Sequence, residues 1–192
     1  MGLPALDQFN LVGGTALALQ FGHRISVDLD LFTEKDFDVV TLKQSLEKEF
    51  GGENIVWNLE KDYTLLLKIN DIKVDILHYP YPLIDNLIIE DGIRLISPPD
   101  ISAMKLSAIA KRGAKKDFFD MYELLKQKYS LSEMFTFYQE KFKNSELGFL
   151  FRSLLYFDDA EMQDDPIMLK SYTRKDVKKE ITRQVSDFIK NT

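Results

Sequence analysis

Two periodicities of apolar residues divide the chain, and the change from one to the other falls near residue 98. Before it, apolar residues alternate or run in short blocks, as half-buried and buried strands require; after it they recur every three or four positions, as helices require. Phe9–Val12 reads as a strand, Gly13-Gly14 as a turn, and Thr15 as the cap of a helix that runs to Phe21 and closes at Gly22. "SVDLDLF" (26–32) reads as a second strand with Val27, Leu29 and Leu31 toward the core. "DVVTLKQSLEKEF" carries Val39, Leu42, Leu46 and Phe50 at helical spacing and stops at Gly51-Gly52. "NIVWNLE", "YTLLLKIN" and "KVDILHY" follow as strands, with "NDI" a tight hairpin between the last two.

After the proline-marked "YPYPLIDN", a strand "GIRLI" leads to "SPPD", where Asp100 is placed to cap a helix. "ISAMKLSAIAKRG", "KKDFFDMYELLKQ", "LSEMFTFYQEKF", "ELGFLFRSLLYF" and "RKDVKKEITRQVSDFIK" then read as helices, and "DDAEMQDDP" as an exposed acidic loop. The pattern predicts an α+β protein: a sheet core over residues 1–98 and a helical region over 99–192.

Composition narrows the partners. The 192 residues contain no cysteine, which excludes disulfides and thiolate metal sites and points to a reducing compartment such as a bacterial cytosol, hence a cytoplasmic protein. The opening "MGLPALDQFN" lacks a signal-peptide pattern, and no apolar run approaches the roughly 20 residues of a membrane span. With 31 acidic against 25 basic residues, the net charge of −6 disfavours broad binding to a phosphate backbone. Any nucleic-acid contact must be local.

Against this background Asp28 and Asp30 stand out, two carboxylates one residue apart in an apolar strand. Residues two apart on a strand project to one face, and like charges that close persist when a cation neutralises them; hard oxygen ligands suit Mg²⁺. Asp75 lies in an equally apolar strand, where an unpaired charge is costly, so a two-metal site is a plausible reading of the three. Gly13 and Gly14, lacking side chains, let the backbone approach a triphosphate at the start of a helix, and Thr15 can add its hydroxyl. If the helix after Asp100 were continuous, Lys105, Arg112 and Lys116 would form one cationic stripe, although Gly113 interrupts the sequence there.

Each feature alone also has a plain structural reading. The glycine pair is an ordinary turn, Asp75 a strand-edge carboxylate, Lys105 a snorkelling surface lysine, and "KRGAKK" either a solvated face or a guide for an RNA acceptor. His23 and Arg24 precede the acidic strand, where they could contact phosphate or pair with its aspartates. His78 falls on the opposite strand face from Asp75, Ser26 shapes the loop, and Trp57, Tyr63 and the aromatics of "MFTFYQEKF" and "FLFRSLLYF" read as core.

"LVGG", then "DLDLF", then "VDIL" resembles the signature of the polymerase-beta-type nucleotidyltransferase superfamily. "FNLVGGTALALQFGHRISVDLDLF" with "ISPPDISAMKLSAIAKRGAKKDFFDMYELL" is similar to the AbiEii/AbiGii toxin family within it, over roughly residues 9 to 140. The resemblance implies a polymerase-beta-like core with a mixed sheet, followed by a helical region that completes the active site. It implies transfer of a nucleoside monophosphate from an NTP to an acceptor, with Mg²⁺ or Mn²⁺, as a toxin of a toxin–antitoxin or phage-defence system with a cognate antitoxin.

Carried over by position, Gly13 and Gly14 match the first motif, and Asp28 and Asp30 are the metal ligands. Asp75 is the third acidic position, and Lys105 lies near the triphosphate. Arg112, Lys116, Asp117 and Asp120 continue the second motif. The expected acceptor is RNA, with tRNA first. A protein side-chain hydroxyl is the alternative acceptor, and a non-catalytic partner-binding module on the same fold is the alternative of a different class.

Overall fold

The computed structural model describes residues 2–143 and 146–191. Its packing separates two units: Met1–Ala16, Ser26–Pro82 and Asn86–Ile96 form the first, and Leu17–Ile25, Leu83–Asp85 and Ser97–Thr192 the second.

The first unit is built on a mixed seven-stranded sheet of β1 (Asn10–Val12), β2 (Leu29–Thr33), β3 (Ile55–Lys61), β4 (Thr64–Ile69), β5 (Ile72–His78), β6 (Ile88–Glu90) and β7 (Ile93–Leu95), in the order β3-β4-β5-β2-β1-β7-β6. The β1/β7 and β2/β5 pairs are parallel and the others antiparallel. Strand alternation sorts the faces: Leu31, Leu65, Leu67, Val74 and Ile76 are buried, whereas Asp30 and Asp75 alternate with them on the other face. Helix α2 (Val39–Phe50) buries Leu42 and Leu46, starts at Asp38, whose carboxylate accepts from the Val40 and Thr41 amides, and stops at Gly51 with φ +78°. Asn70 and Asp71 both take positive φ in the β4–β5 hairpin, as a two-residue primed turn requires.

Several local expectations shift. Helix α1 (Gly13–Phe21) begins at the glycine pair itself, so Thr15 lies inside the first turn and does not cap it. Strand β2 begins only at Leu29, which leaves Val27 66% exposed and out of the core. Strand β6 lies outside the strands the pattern predicts; it is an edge strand with two of its three residues exposed, so it has no buried face to show in sequence. Tyr63, expected in the core, sits 40% exposed at positive φ in the β3–β4 turn.

The second unit is helical: α3 (Pro98–Arg112), α4 (Lys115–Gln127), α5 (Leu131–Phe142), α6 (Gly148–Leu155), α7 (Asp158–Glu161) and α8 (Arg174–Asn191). Ile101, Leu106, Met134, Phe135, Leu150, Leu154, Ile181 and Val185 are buried at helical spacing. Phe149 and Tyr156, read as core from sequence, are exposed, and the first residues of the expected acidic loop form α7 with Ala160 buried. The α+β class, with a mixed sheet and a C-terminal helical region, is the one the sequence predicts.

The cap of α3 differs from expectation. Ser97 is the N-cap and accepts from the Asp100 amide, with Pro98 and Pro99 in the first turn, where no intrahelical N–H is needed. Asp100 instead works inside the unit: its carboxylate accepts from the Ile84 and Asp85 amides and pairs with buried Lys141 at 2.7 Å. Ser97→Ala removes both the cap and the hydroxyl bond to Asp100, and is expected to cost about 1–2 kcal/mol, read as a lower denaturation midpoint in urea.

Candidate active site

Asp30 is fixed by register. It pairs with Val12 across β1 and with Asp75 across the parallel β2–β5 pair, so the two carboxylates leave neighbouring strands side by side. Gly13, the residue after Val12, holds φ +70°, and a Cβ there would run into Asp30 Oδ2 and lie 3.3 Å from its Cγ. The glycine is required both by its backbone conformation and by the closeness of the Asp30 carboxylate. Asp28 stands just before β2, where its carbonyl accepts from the Thr15 hydroxyl; that hydroxyl also bonds Ser26 Oγ at 2.9 Å. Thr15 is therefore buried and ties the end of the glycine turn to the entry of β2.

Asp75 has two unlike oxygens. Oδ2 accepts from Lys73 Nζ at 2.6 Å, whereas Oδ1 is buried without a partner. Lys73 was not predicted as a site residue, yet strand alternation alone places it on the face of Asp75, two residues on. The Lys73 ammonium is held above its ordinary pKa by the bond to Asp75, against partial burial, and by the charges of Asp75, Asp30 and Asp28. One cation thus feels all three predicted carboxylates.

Among the described residues no three His, Asp or Glu side chains are gathered into a ready-made metal cluster. The residues nonetheless suit a hard divalent cation. Asp30 and Asp75 supply carboxylates from neighbouring strands, and the Oδ1 of Asp75 is buried and unsatisfied.

The basic residues form a separate cluster in the helical unit. Asp120, with no exposure, accepts from His23 Nε2 at 2.8 Å, from Arg24 Nε at 2.6 Å and Nη2 at 3.0 Å, and pairs with Lys105 Nζ at 2.5 Å. Asp117, equally buried, pairs with Lys105 at 2.8 Å and receives Arg112 through Nε and Nη2 at 2.8 and 3.0 Å. Burial by itself would raise the pKa of Asp120, but Lys105, His23 and Arg24 outweigh it and hold the carboxyl well below the usual range. Burial likewise opposes the charged form of Lys105, and Asp120 and Asp117 more than offset it, so its pKa is raised.

Arg24 and His23 both pair with Asp120 within the helical unit. Lys105 is 4% exposed, its ammonium enclosed by two aspartates. Gly113 ends α3 in the left-handed conformation and α4 starts at Lys115, so Lys105, Arg112 and Lys116 do not share one helical stripe. Lys116 is exposed on α4, and Arg112 keeps 57% of its side chain exposed while bonding Asp117. Arg24, Lys105 and Arg112 thus converge on the carboxylates of Asp117 and Asp120.

Comparison with known proteins places the chain in a family and matches its fold. Residues 4–191 match the family model described as the nucleotidyl transferase AbiEii toxin of type IV toxin–antitoxin systems. An uncharacterized protein of Aquifex aeolicus is 33% identical over 198 residues, spanning 100% of this chain and 93% of its own. A Helicobacter pylori protein assigned as a nucleotidyltransferase superposes with a TM-score of 0.61 at 19% identity, covering 97% of this chain and 88% of that one. MenT4, a nucleotidyltransferase toxin of Mycobacterium tuberculosis, superposes at 0.57 with 11% identity over 94% of this chain and 75% of its own. Among the described residues no helix is long and apolar enough to cross a membrane.

Proposed function

The chain belongs to the AbiEii nucleotidyl transferase toxin family, and on that premise we propose that it moves a nucleoside monophosphate from an NTP to an RNA hydroxyl, with tRNA as the first acceptor to test. The observation that carries the reading is the in-register pair of Asp30 and Asp75 on adjacent parallel strands, with Gly13 closed against Asp30. Asp28, Asp30 and Asp75 are the residues that would hold Mg²⁺ or Mn²⁺. The metal, when bound, supplies positive charge for the phosphates and for the acceptor oxygen.

In the transfer the acceptor hydroxyl oxygen bonds to the α-phosphorus, the bond from that phosphorus to the leaving pyrophosphate breaks, and the hydroxyl proton is released. Positioning and charge neutralisation dominate such chemistry. Gly13 and Gly14 leave the backbone open to the triphosphate, while Thr15 holds the strand entry that carries Asp28. Lys116 and Arg112, both with exposed side chains, are the cations of the helical unit that would offer charge to phosphate oxygens. Lys105, Asp117, Asp120 and Arg24 act by fixing that cationic surface.

The net charge of −6 favours a narrow grip on RNA over a broad one, and the type IV toxin–antitoxin description of the family supports a cognate antitoxin as a partner. Incubating the protein with each α-labelled NTP, Mg²⁺ and total RNA is expected to yield labelled, ribonuclease-sensitive product that a chelator abolishes. Label that resists ribonuclease and yields to protease would mark a protein hydroxyl as the acceptor. Absence of labelled macromolecule with all four NTPs would overturn transfer.

A further inference from the structure

Lys73 has an unusual set of neighbours. Directly across β4 in the antiparallel register stands Lys68, a like charge, while two residues along its own strand stands Asp75. A lysine opposite a lysine is repelled from its cross-strand partner, and its long stem carries the ammonium along the strand to Asp75 Oδ2, 2.6 Å away. Half of the Lys73 side chain, 49%, is exposed, against 15% for Asp75, so the lysine closes the carboxylate from the solvent side. The other oxygen of Asp75 is buried. A cation on either oxygen of Asp75 therefore sits beside the Lys73 ammonium.

We propose that Lys73 is a built-in counter-cation of the carboxylate face, sharing Asp75 with the divalent metal, so that a metal occupies Asp75 only when the Lys73 ammonium swings away. The inference rests on the reading of Asp75 as a metal ligand. Both partners need the same carboxylate, and a divalent cation on it stands close enough to the Lys73 ammonium for the two to repel strongly. By linkage, metal weakens the lysine contact by the same factor by which that contact weakens metal binding. Lys73 is a positioning residue: it sets how much free metal the face needs and where the Asp75 carboxylate points before metal arrives. The lysine side chain is flexible and half exposed, so its release needs no rearrangement of the sheet.

The test is direct titration of Mn²⁺, followed by the electron paramagnetic resonance signal of the free ion, in the presence of an NTP analogue with a non-cleavable α–β bridge. Lys73→Met is expected to bind Mn²⁺ about fivefold more tightly than wild type, and Lys73→Arg to stay near wild type. In the unmutated protein, acetylation of Lys73 by an amine-reactive ester is expected to rise several-fold when Mn²⁺ is added, with exposed Lys48 as the internal reference. In Asp75→Asn that rise disappears. Wild-type Mn²⁺ binding with no gain in Lys73→Met and no change in Lys73 acetylation would overturn the inference and leave the metal reading standing. Failure of wild type and Lys73→Met alike to bind Mn²⁺ at millimolar concentration would overturn both.

Discussion

Asp120→Asn is expected to lower the unfolding free energy by about 3–5 kcal/mol, the cost of removing one member of a fully buried ionic cluster. The substitution leaves Lys105 with Asp117 alone, removes the charge that receives both nitrogens of Arg24, and places an amide donor against His23. These partners are all buried, so water cannot replace the lost carboxylate. Urea denaturation measures the loss, and a protein of this size should melt roughly 6–20 °C lower, at about 2–4 °C per kcal/mol. A change below about 1 kcal/mol would mean that the cluster is no stronger than a surface ion pair.

The pH dependence has a definite sign. The folded pKa of Asp120 is depressed, so its contribution is complete above the unfolded value of about 3.9 and is lost progressively as pH falls toward the folded value. The Lys105 pKa is raised, so its contribution is complete below about 10.4 and is lost only as pH climbs through the still higher folded value. Wild type should therefore lose stability in acid more steeply than Asp120→Asn, and the two curves should converge as pH drops.

Gly13→Ala is expected to lower nucleotidyl transfer about a hundredfold, the scale of a misplacement of about 1 Å at a reacting centre, while costing about 1–3 kcal/mol of stability for a side chain held at positive φ. The new methyl would overlap Asp30 Oδ2, and the carboxylate, being the movable end of a side chain, is what must turn. Asp30→Asn keeps the shape and removes the charge, and should abolish transfer with a smaller effect on folding. Measuring labelled product alongside melting temperature separates the two variants. Full activity in Gly13→Ala would show that the orientation of Asp30 does not matter, and full activity in Asp30→Asn would remove the carboxylate face from the mechanism.

Which residues form strands and which form helices was legible because each element needs only its own periodicity. Val74 and Ile76 alternate with Asp75, and Leu42 and Leu46 lie four apart, whatever else surrounds them. The element ends were less legible: β2 starts three residues later than alternation suggests, because Ser26 is spent on Thr15, and Val27 has no core to enter. β6 was invisible because this edge strand exposes two of its three residues and so carries no apolar face. Lys73 could have been found beforehand, since a lysine two residues from Asp75 on a strand must share its face.

The partners of the basic residues could not be read in advance. His23 and Arg24 lie 97 and 96 positions from Asp120, and in sequence they stand next to Asp28 and Asp30, the more obvious acceptors. A buried charge takes the opposite charge that burial places beside it, and that choice depends on how distant segments pack. The sequence by itself determined the sheet and helical elements and the glycine turn, but not the place of Asp28, which falls before β2 and not on it, because short-range pattern and backbone sterics act within a few residues while strand ends depend on packing. Tertiary structure alone decided that Lys105 is enclosed between Asp117 and Asp120, that Gly113 splits the expected stripe, and that Gly13 presses on Asp30, because these depend on desolvation and on distances that only the folded chain creates.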